Sequence, residues 1–421
     1  MAEAGDKVKI FCKDETLEGV LMPEEDPKFV FVKLGSGYNI GIEKKKIKKI
    51  NLVKKKTKTK ESSFKVTTNK SLPTISILHT GGTIASKVDY EMGGVVASFK
   101  TEDLLKMFPE LKKIVNINSV FISNMMSEDM RFSDYQKIAA AVQKEIKKGV
   151  AGVIIGQGTD TLAITAAAMS FIFENAPIPI LIVGSQRSSD RGSSDAGMNL
   201  TCSSEFISKT DYKGVAICMH ESTADNNCLI MSGTKTRKLH TSRRDAFKVV
   251  NDIPIARINY DNRKITWLNK PKNTTGKMVV KDKFEDKVAI IKTHTHMHVD
   301  IYEFLNSKKY KGLVLEGTGI GQAPTNTKEN LPIYNELKKF IKNGGVIVLT
   351  SQCVFGRVHQ NIYKNCRRLA EIGVIFGEDM LTETAFIKLA WILGNKIDKK
   401  FLNQNMRGEI TKRRREDGFL E

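Results

Sequence analysis

The segment His79-Thr80-Gly81-Gly82-Thr83-Ile84-Ala85 sets hydroxyl side chains on either side of a glycine pair, directly after an apolar run. Glycines let a backbone turn sharply and approach a ligand closely, so Thr83 stands where a nucleophile would be useful. The same string also suits a strand-to-helix turn whose threonines only cap the helix. Gln157-Gly158-Thr159-Asp160-Thr161 follows the apolar run Gly152–Gly156 in the same way. There too, capping of the next helix is the commoner use of Thr-Asp. A third polar string, from Ser185-Gln186-Arg187 to Asp195, follows Ile178–Gly184 and is dense in hydroxyls and charge. Lys238 lies in Arg237-Lys238-Leu239-His240-Thr241 and, taken alone, is one lysine among many.

Taken together, these residues describe one reaction. Carboxamide hydrolysis needs a nucleophile, a group to take its proton, and donors for the oxyanion. A threonine hydroxyl is a poor nucleophile until a partner accepts its proton. A lysine buried beside an aspartate and a second threonine can be that partner, because desolvation pushes lysine towards its neutral form. General-base help of this kind is typically worth about 10²–10⁴-fold in rate. Thr83, Thr159, Asp160 and Lys238 supply all the parts except the oxyanion donors.

Such residues need elements that bring them to one edge. From Pro73 onward, the runs Ile75–His79, Gly152–Gly156, Ile178–Gly184 and Gly214–Met219 alternate with helical patterns such as Asp134–Lys147 and Asp160–Phe173. That alternation predicts an α/β unit whose parallel sheet is covered on both faces, with ligands binding beyond the carboxyl ends of the strands. Val288–Lys292, Gly312–Glu316, Gly345–Thr350 and Gly373–Phe376, followed by a helix over Thr382–Leu393, predict a second doubly wound sheet. Ahead of both, Lys7–Phe11, Thr16–Leu21, Phe29–Leu34 and Asn39–Ile42 predict a small all-β barrel. The expected division is a barrel at 1–53, a basic linker at 54–72, an α/β domain with the catalytic residues at 73–270, a linker at 271–286, and a smaller C-terminal α/β domain at 287–421.

Composition narrows the class. Among 421 residues, 41% hydrophobic and 27% charged is ordinary globular content, ample for a core. No apolar run reaches the ~18 residues of a membrane span, and the charged start has no signal-peptide core, so no membrane and a cytoplasmic location are expected. Six scattered cysteines without a C-x-x-C pair read as reduced and mostly buried. The formal charge of +20 suits contact with a polyanion, and it equally suits a lysine-rich surface. The charge gathers in Lys44-Lys45-Lys46, Lys48-Lys49, Lys54–Lys60 and Lys412-Arg413-Arg414-Arg415 without interleaved aromatics, so a base-stacking surface is not indicated.

Thr80-Gly81-Gly82-Thr83-Ile84-Ala85, with Gly158-Thr159-Asp160-Thr161 and the downstream Lys238, resembles the bacterial-type asparaginase/glutaminase family from residue 73 to about 394. The resemblance implies an asparaginase-type pair of α/β domains, Thr83 as the primary nucleophile, and Thr159, Asp160 and Lys238 as the second catalytic group. It implies Tyr90 as the lid tyrosine, and Ser127 with Glu128 as the holders of the substrate's α-amino and α-carboxyl groups. Many members carry Gln where Glu128 stands, and a carboxylate would hold an ammonium more strongly. Gly82 and Gly158 fall among the substrate-binding positions.

Four features make the chain most similar to one branch, the D subunits of archaeal glutamyl-tRNA(Gln) amidotransferases: the appended β-domain; Arg237–Phe247; Thr350-Ser351-Gln352-Cys353 with Gly356-Arg357; and Glu378-Asp379-Met380 with Thr382–Ala385. That branch implies a glutaminase that supplies ammonia from L-glutamine to an E-type subunit. The E subunit uses ATP and Mg²⁺ to activate Glu-tRNA(Gln), and this chain itself binds no cofactor. It further implies a homodimer within a heterotetramer of two D and two E subunits, with tRNA contacted mainly through the partner. Two other readings remain: a free-standing L-asparaginase with an extra domain, and an RNA-binding protein on an inactive asparaginase scaffold.

Three motifs are set aside. His294, His296 and His298 share one face only if their segment is extended, and the family needs no metal there. Gly317-Thr318-Gly319-Ile320-Gly321 lacks dinucleotide-binding spacing. Cys353 has no nearby base in the sequence and is expected to be a core thiol.

Overall fold

The computed structural model describes residues 2–22, 26–35, 39–55, 68–82, 86–89, 94–97, 100–187, 193–273 and 275–412. Its first five strands are β1 (Lys7–Cys12), β2 (Thr16–Leu21), β3 (Phe29–Leu34), β4 (Asn39–Glu43) and β5 (Ile47–Lys54). They form one antiparallel sheet in the order β4-β3-β2-β1-β5 around a small core of Val8, Ile10, Val32 and Ile42. The fifth strand had no place among the strands expected from the sequence. Register shifts at Lys7/Val8 and Phe11/Cys12 break its alternation, and its Lys48 and Lys49 are exposed. Part of the basic block is therefore a strand at the sheet edge. Most of the expected linker at 54–72 lies outside the described residues.

The next strands are β6 (Thr74–His79), a hairpin of β7 (Ser86–Asp89) and β8 (Gly94–Ala97), β9 (Asn116–Phe121), β10 (Gly152–Gly156) and the short β11 (Phe173–Glu174). They continue with β12 (Pro179–Val183), β13 (Gly214–His220), β14 (Asn227–Ser232), a hairpin of β15 (Thr236–Lys238) and β16 (Phe247–Val249), β17 (Ala256–Asn259) and β18 (Ile265–Trp267). Interspersed helices are α1 (Thr101–Met107), α2 (Phe132–Lys147), α3 (Leu162–Ile172) and α4 (Ala196–Lys209).

Eight of these strands make a sheet in the order β18-β17-β14-β13-β12-β10-β6-β9. Strands β9 to β13 pair in parallel, whereas β13-β14-β17-β18 pair antiparallel. The sheet is mixed where a parallel one was expected. The reason is chain length. Only residues 221–226 separate β13 from β14, and a parallel crossover needs a dozen or more. Burial on both faces follows the alternation of the strands: Val153 and Ile155 enter the core beneath α2 and α3, while Ile154 enters the one beneath α1 and α4.

The chain then forms the two-residue β19 (Val279–Val280) and a second parallel sheet, β20 (Val288–Lys292), β21 (Gly312–Gly317), β22 (Val346–Ser351) and β23 (Ile375–Phe376), paired in that order. Helices α5 (Asp300–Ser307), α6 (Leu331–Lys342), α7 (Lys364–Glu371) and α8 (Thr382–Gly394) complete it. Helix α8 carries Trp391 into the larger core, with its ring 5.5 Å from that of Phe171 on α3. The two α/β units thus share apolar packing as well as chain.

A C-terminal segment ties them further. Arg407 donates to the Ser170 carbonyl, and Glu409 pairs with Lys388 at 2.5 Å with both side chains fully buried. Burial holds the Lys388 ammonium below the usual lysine range, against the opposing pull of Glu409. Glu409→Ala would leave that ammonium without a counter-charge, which typically costs about 3–5 kcal/mol. A lower urea midpoint for unfolding is the expected result, and an unchanged midpoint would show that the segment is not held by this pair. No helix among the described residues is long and apolar enough to cross a membrane.

Candidate active site

Because β6, β9, β10 and β12 run parallel, the segments after them emerge at the same sheet edge. Glycines set how closely these segments pack. Gly81 and Gly82 take φ of 121° and 79°, where side chains are strained. A Cβ on Gly81 would also sit 2.2 Å from the Met125 carbonyl oxygen, and one on Gly82 would sit 2.5 Å from the Gly158 nitrogen. Gly158 lies in turn on Ser127, whose Cβ and Oγ would be 3.0 Å from an added methyl. Gly82, Gly158 and Ser127, all expected substrate-binding positions, are therefore stacked neighbours.

Ser127 is buried in a short turn over Ser127–Asp129, and Glu128 is exposed beside it. The Ser127 carbonyl accepts a hydrogen bond from Thr161 Oγ1 at 2.7 Å, and Gln157 Nε2 donates to that same hydroxyl at 3.2 Å. At the end of β6, burial pushes the His79 imidazole down to about 4, so it is neutral and faces Ser119 Oγ at 3.0 Å.

Lys238 ends β15 and pairs with Phe247 of β16, so the hairpin aims its side chain. Its Nζ donates to Thr159 Oγ1 at 2.9 Å and to Asp160 Oδ1 at 2.7 Å. The lysine side chain is 13% exposed and the Asp160 side chain 66%. A lysine far along the chain thus meets the Thr-Asp pair at the sheet edge. Helix α3 begins at Leu162 with Thr161 at its N-cap position, and no side chain caps it. Thr159 and Asp160 do not cap α3, because their side chains are turned to Lys238.

The loop after β12 closes the other side. Thr159 Oγ1 donates to Gln186 Oε1 at 3.4 Å. Asp195, fully buried, accepts from Ser185 Oγ at 2.9 Å, from the Gln186 and Arg187 backbone nitrogens at 3.0 Å each, and from Asn199 Nδ2 at 3.3 Å. Sequence reasoning assigns no role to Asp195, Gln157 or Thr161. An aspartate in a polar loop reads as solvated, and only burial distinguishes it. Thr83 and Tyr90 lie outside the described residues, as does the terminal basic run from 413.

The motifs set aside look different in three dimensions. The histidine segment turns at 295–296, with His296 at φ 58°, so the extended geometry that would align three imidazoles is not adopted. No group of three or more His, Cys, Asp or Glu among the described residues could hold a metal ion. Cys353 is exposed, contrary to the expected core thiol, because it sits on the loop beyond β22 instead of within the strand. All six cysteines are free, and four are buried.

Two wound α/β units, a glycine-stacked strand edge and a Lys-Thr-Asp cluster define an asparaginase-type hydrolase. The matching family models are the N-terminal asparaginase domain over residues 74–273, the glutaminase/asparaginase C-terminal domain over 287–406, and the GatD N-terminal domain over 2–53. Among solved structures, the thermostable L-asparaginase from Thermococcus kodakarensis superposes with a TM-score of 0.72 at 28% identity, covering 80% of this chain and 99% of that one. L-asparaginase I from Vibrio cholerae gives 0.69 at 27%, covering 81% and 99%. The D subunit of glutamyl-tRNA(Gln) amidotransferase from Pyrococcus furiosus is 43% identical over 99% of this chain and 97% of its own. Its counterpart from Methanococcus maripaludis is 41% identical, over 97% and 98%. The chain belongs to the family of glutamyl-tRNA(Gln) amidotransferase D subunits.

Proposed function

We propose that this chain is the amide-donor subunit of a tRNA-dependent amidotransferase. It hydrolyses L-glutamine and passes the ammonia to an E-type partner that converts Glu-tRNA(Gln) to Gln-tRNA(Gln). The carrying observation is the likeness to D subunits along nearly the whole chain, together with a separate match for residues 2–53. The Thermococcus L-asparaginase is spanned almost completely by 80% of this chain. A free asparaginase therefore leaves the first domain without a task.

In this reading, 1–53, 73–270 and 287–421 are the folded units joined by linkers at 54–72 and 271–286. Thr83 Oγ adds to the side-chain carbonyl carbon of glutamine, the C–N bond breaks, and ammonia leaves with the proton delivered to it. Water then cleaves the acyl ester to glutamate. Thr159, held by Lys238 beside Asp160, is the group through which protons move. Ser127 and Glu128 hold the substrate's α-carboxyl and α-amino groups, Gly82 and Gly158 bring the loops within reach, and Tyr90 covers the site. The complex is two D and two E subunits in the cytoplasm. ATP and Mg²⁺ act in the E subunit, which also makes most of the tRNA contacts.

The test compares glutamine and asparagine hydrolysis by the chain alone with hydrolysis in the presence of an E-type subunit, Glu-tRNA, ATP and Mg²⁺. Glutamine turnover that rises with the full mixture and yields Gln-tRNA is expected. Full asparaginase turnover without the partner would overturn the proposal.

A further inference from the structure

Strings that set this chain apart in sequence meet at one place in the fold. Arg237–Phe247 spans the β15–β16 hairpin, while Gly356-Arg357 and Glu378–Ala385 belong to the second α/β unit and lie against it. The hairpin pairs with neither large sheet, and a lone two-stranded ribbon is marginally stable in water. Its place therefore depends on what its side chains hold. Phe247 is fully buried in the larger core. Much of the remaining hold comes from the second unit. Thr384 Oγ1 donates to the Thr234 carbonyl at 2.9 Å. Lys235 Nζ, fully buried, donates to Asp379 Oδ2 at 2.7 Å and to the Asp379 carbonyl at 3.1 Å. Arg237 Nη2 meets Glu383 Oε1, in the first turn of α8, at 2.9 Å. Just beyond β16, the Gly356 N–H donates to Asn251 Oδ1 at 2.9 Å, and Asn251 Nδ2 donates to the Gly356 carbonyl at 3.1 Å.

Successive side chains of a strand point to opposite faces. Lys238 turns to Thr159 and Asp160, and Arg237 turns the other way, to α8. Lys235, two residues before Arg237, also meets the second unit. One short strand thus carries the catalytic lysine on one face and its fastenings to the second unit on the other.

We infer that Arg237 is a positioning residue for the glutaminase reaction. Its pair with Glu383 braces the strand that carries Lys238 against the second unit, and so fixes where Lys238 Nζ stands beside Thr159.

Lysine reaches its target on a flexible four-carbon stem, so Nζ is held no better than the backbone it leaves. A misplacement of about 1 Å at a reacting group can cost about 10²-fold in rate. Lys235 and Asp379 share the bracing from inside the protein, where removing either would strand a buried charge. Arg237 and Glu383 offer the cleaner probe. Their side chains are 29% and 30% exposed, and pairs of that kind add little to stability. The pair can be broken with the fold intact.

This inference rests on the glutaminase reading and is tested in the assembled complex, with glutamine or free ammonium as the amide donor. Absence of glutamine turnover in the unaltered complex would fail that reading, whereas failure of the inference shows only in the variants. Arg237→Met and Glu383→Gln break the pair from opposite sides. Each should lower kcat for glutamine hydrolysis roughly tenfold with KM nearly constant, part of what a full misplacement would cost. The double variant should lose no more than either single one, because the same contact is removed. Arg237→Lys keeps a cation facing Glu383 and should retain most of kcat. Formation of Gln-tRNA from ammonium and the unfolding midpoint should stay as in the unaltered complex. Wild-type kcat in Arg237→Met or Glu383→Gln, losses that multiply in the double variant, or a loss confined to KM would each overturn the assignment. So would an Arg237→Lys loss equal to that of Arg237→Met. A parallel fall in the ammonium-driven reaction or in the midpoint would assign the pair to assembly or folding, and would likewise overturn it.

Discussion

Thr83→Ala is expected to abolish glutamine-dependent formation of Gln-tRNA while leaving formation from free ammonium intact. The alanine removes the only atom that can become the acyl acceptor. Deleting a covalent nucleophile typically costs on the order of 10⁴–10⁶-fold, about 5–8 kcal/mol of transition-state stabilisation. Ammonium bypasses that step entirely, because the acceptor chemistry belongs to the partner subunit. The measurement is Gln-tRNA formed by the reconstituted complex, with glutamine or with ammonium as donor. Loss of both activities together would show that the two reactions are not divided between subunits as proposed. The backbone leading to Thr83 is constrained by Gly81 and Gly82, both too close to neighbouring chain to carry a side chain.

Lys238→Met is the second large effect, and its signature is a separation of activity from stability. The Lys238–Asp160 contact is short, yet the Asp160 side chain is 66% exposed. Ion pairs of that exposure contribute about 0–1 kcal/mol at most, so the unfolding midpoint should hardly move. Catalysis should suffer far more. Without Nζ, the Thr159 hydroxyl loses the donor that orients it, and Asp160 loses its counter-charge. A kcat loss in glutamine hydrolysis of about 10²–10⁴-fold is expected, the span of a general base. A loss below threefold, or one matched by a comparable loss of stability, would remove Lys238 from the proton path.

Among the strands read directly, Gly152–Gly156 is buried at every position and has the same bounds in the sequence reading and in the structure. Its run is uninterrupted because a central parallel strand meets apolar packing above and below. The strands missed are edge or antiparallel ones. Strand β9 reads Asn-Ile-Asn-Ser-Val-Phe, with one buried residue among six, and its Phe121 is exposed. Strand β5 has no fully buried position, and its pairing with β1 slips twice. Where much of a strand faces water and its register slips, period-two alternation fades into ordinary loop composition.

The candidate site divides along a similar line. Which residues could take part is marked without coordinates by the family resemblance, which picks out Gly82, Gly158, Thr159, Asp160 and Lys238, although Lys238 taken alone is one lysine among many. Equally legible is that most of these residues follow strands, and strand ends are where open sheets bind ligands. Whether Thr159 and Asp160 cap a helix or serve a lysine is settled at long range. That choice depends on where the β15–β16 hairpin delivers Nζ, 79 positions beyond Thr159. The same holds for Asp195 and Gln186. Nothing in a run of polar residues says which carboxylate will be buried with four donors around it, or which amide will lie against a threonine. Those facts arise from the packing of distant segments, and packing is a property of the folded chain, not of any segment within it.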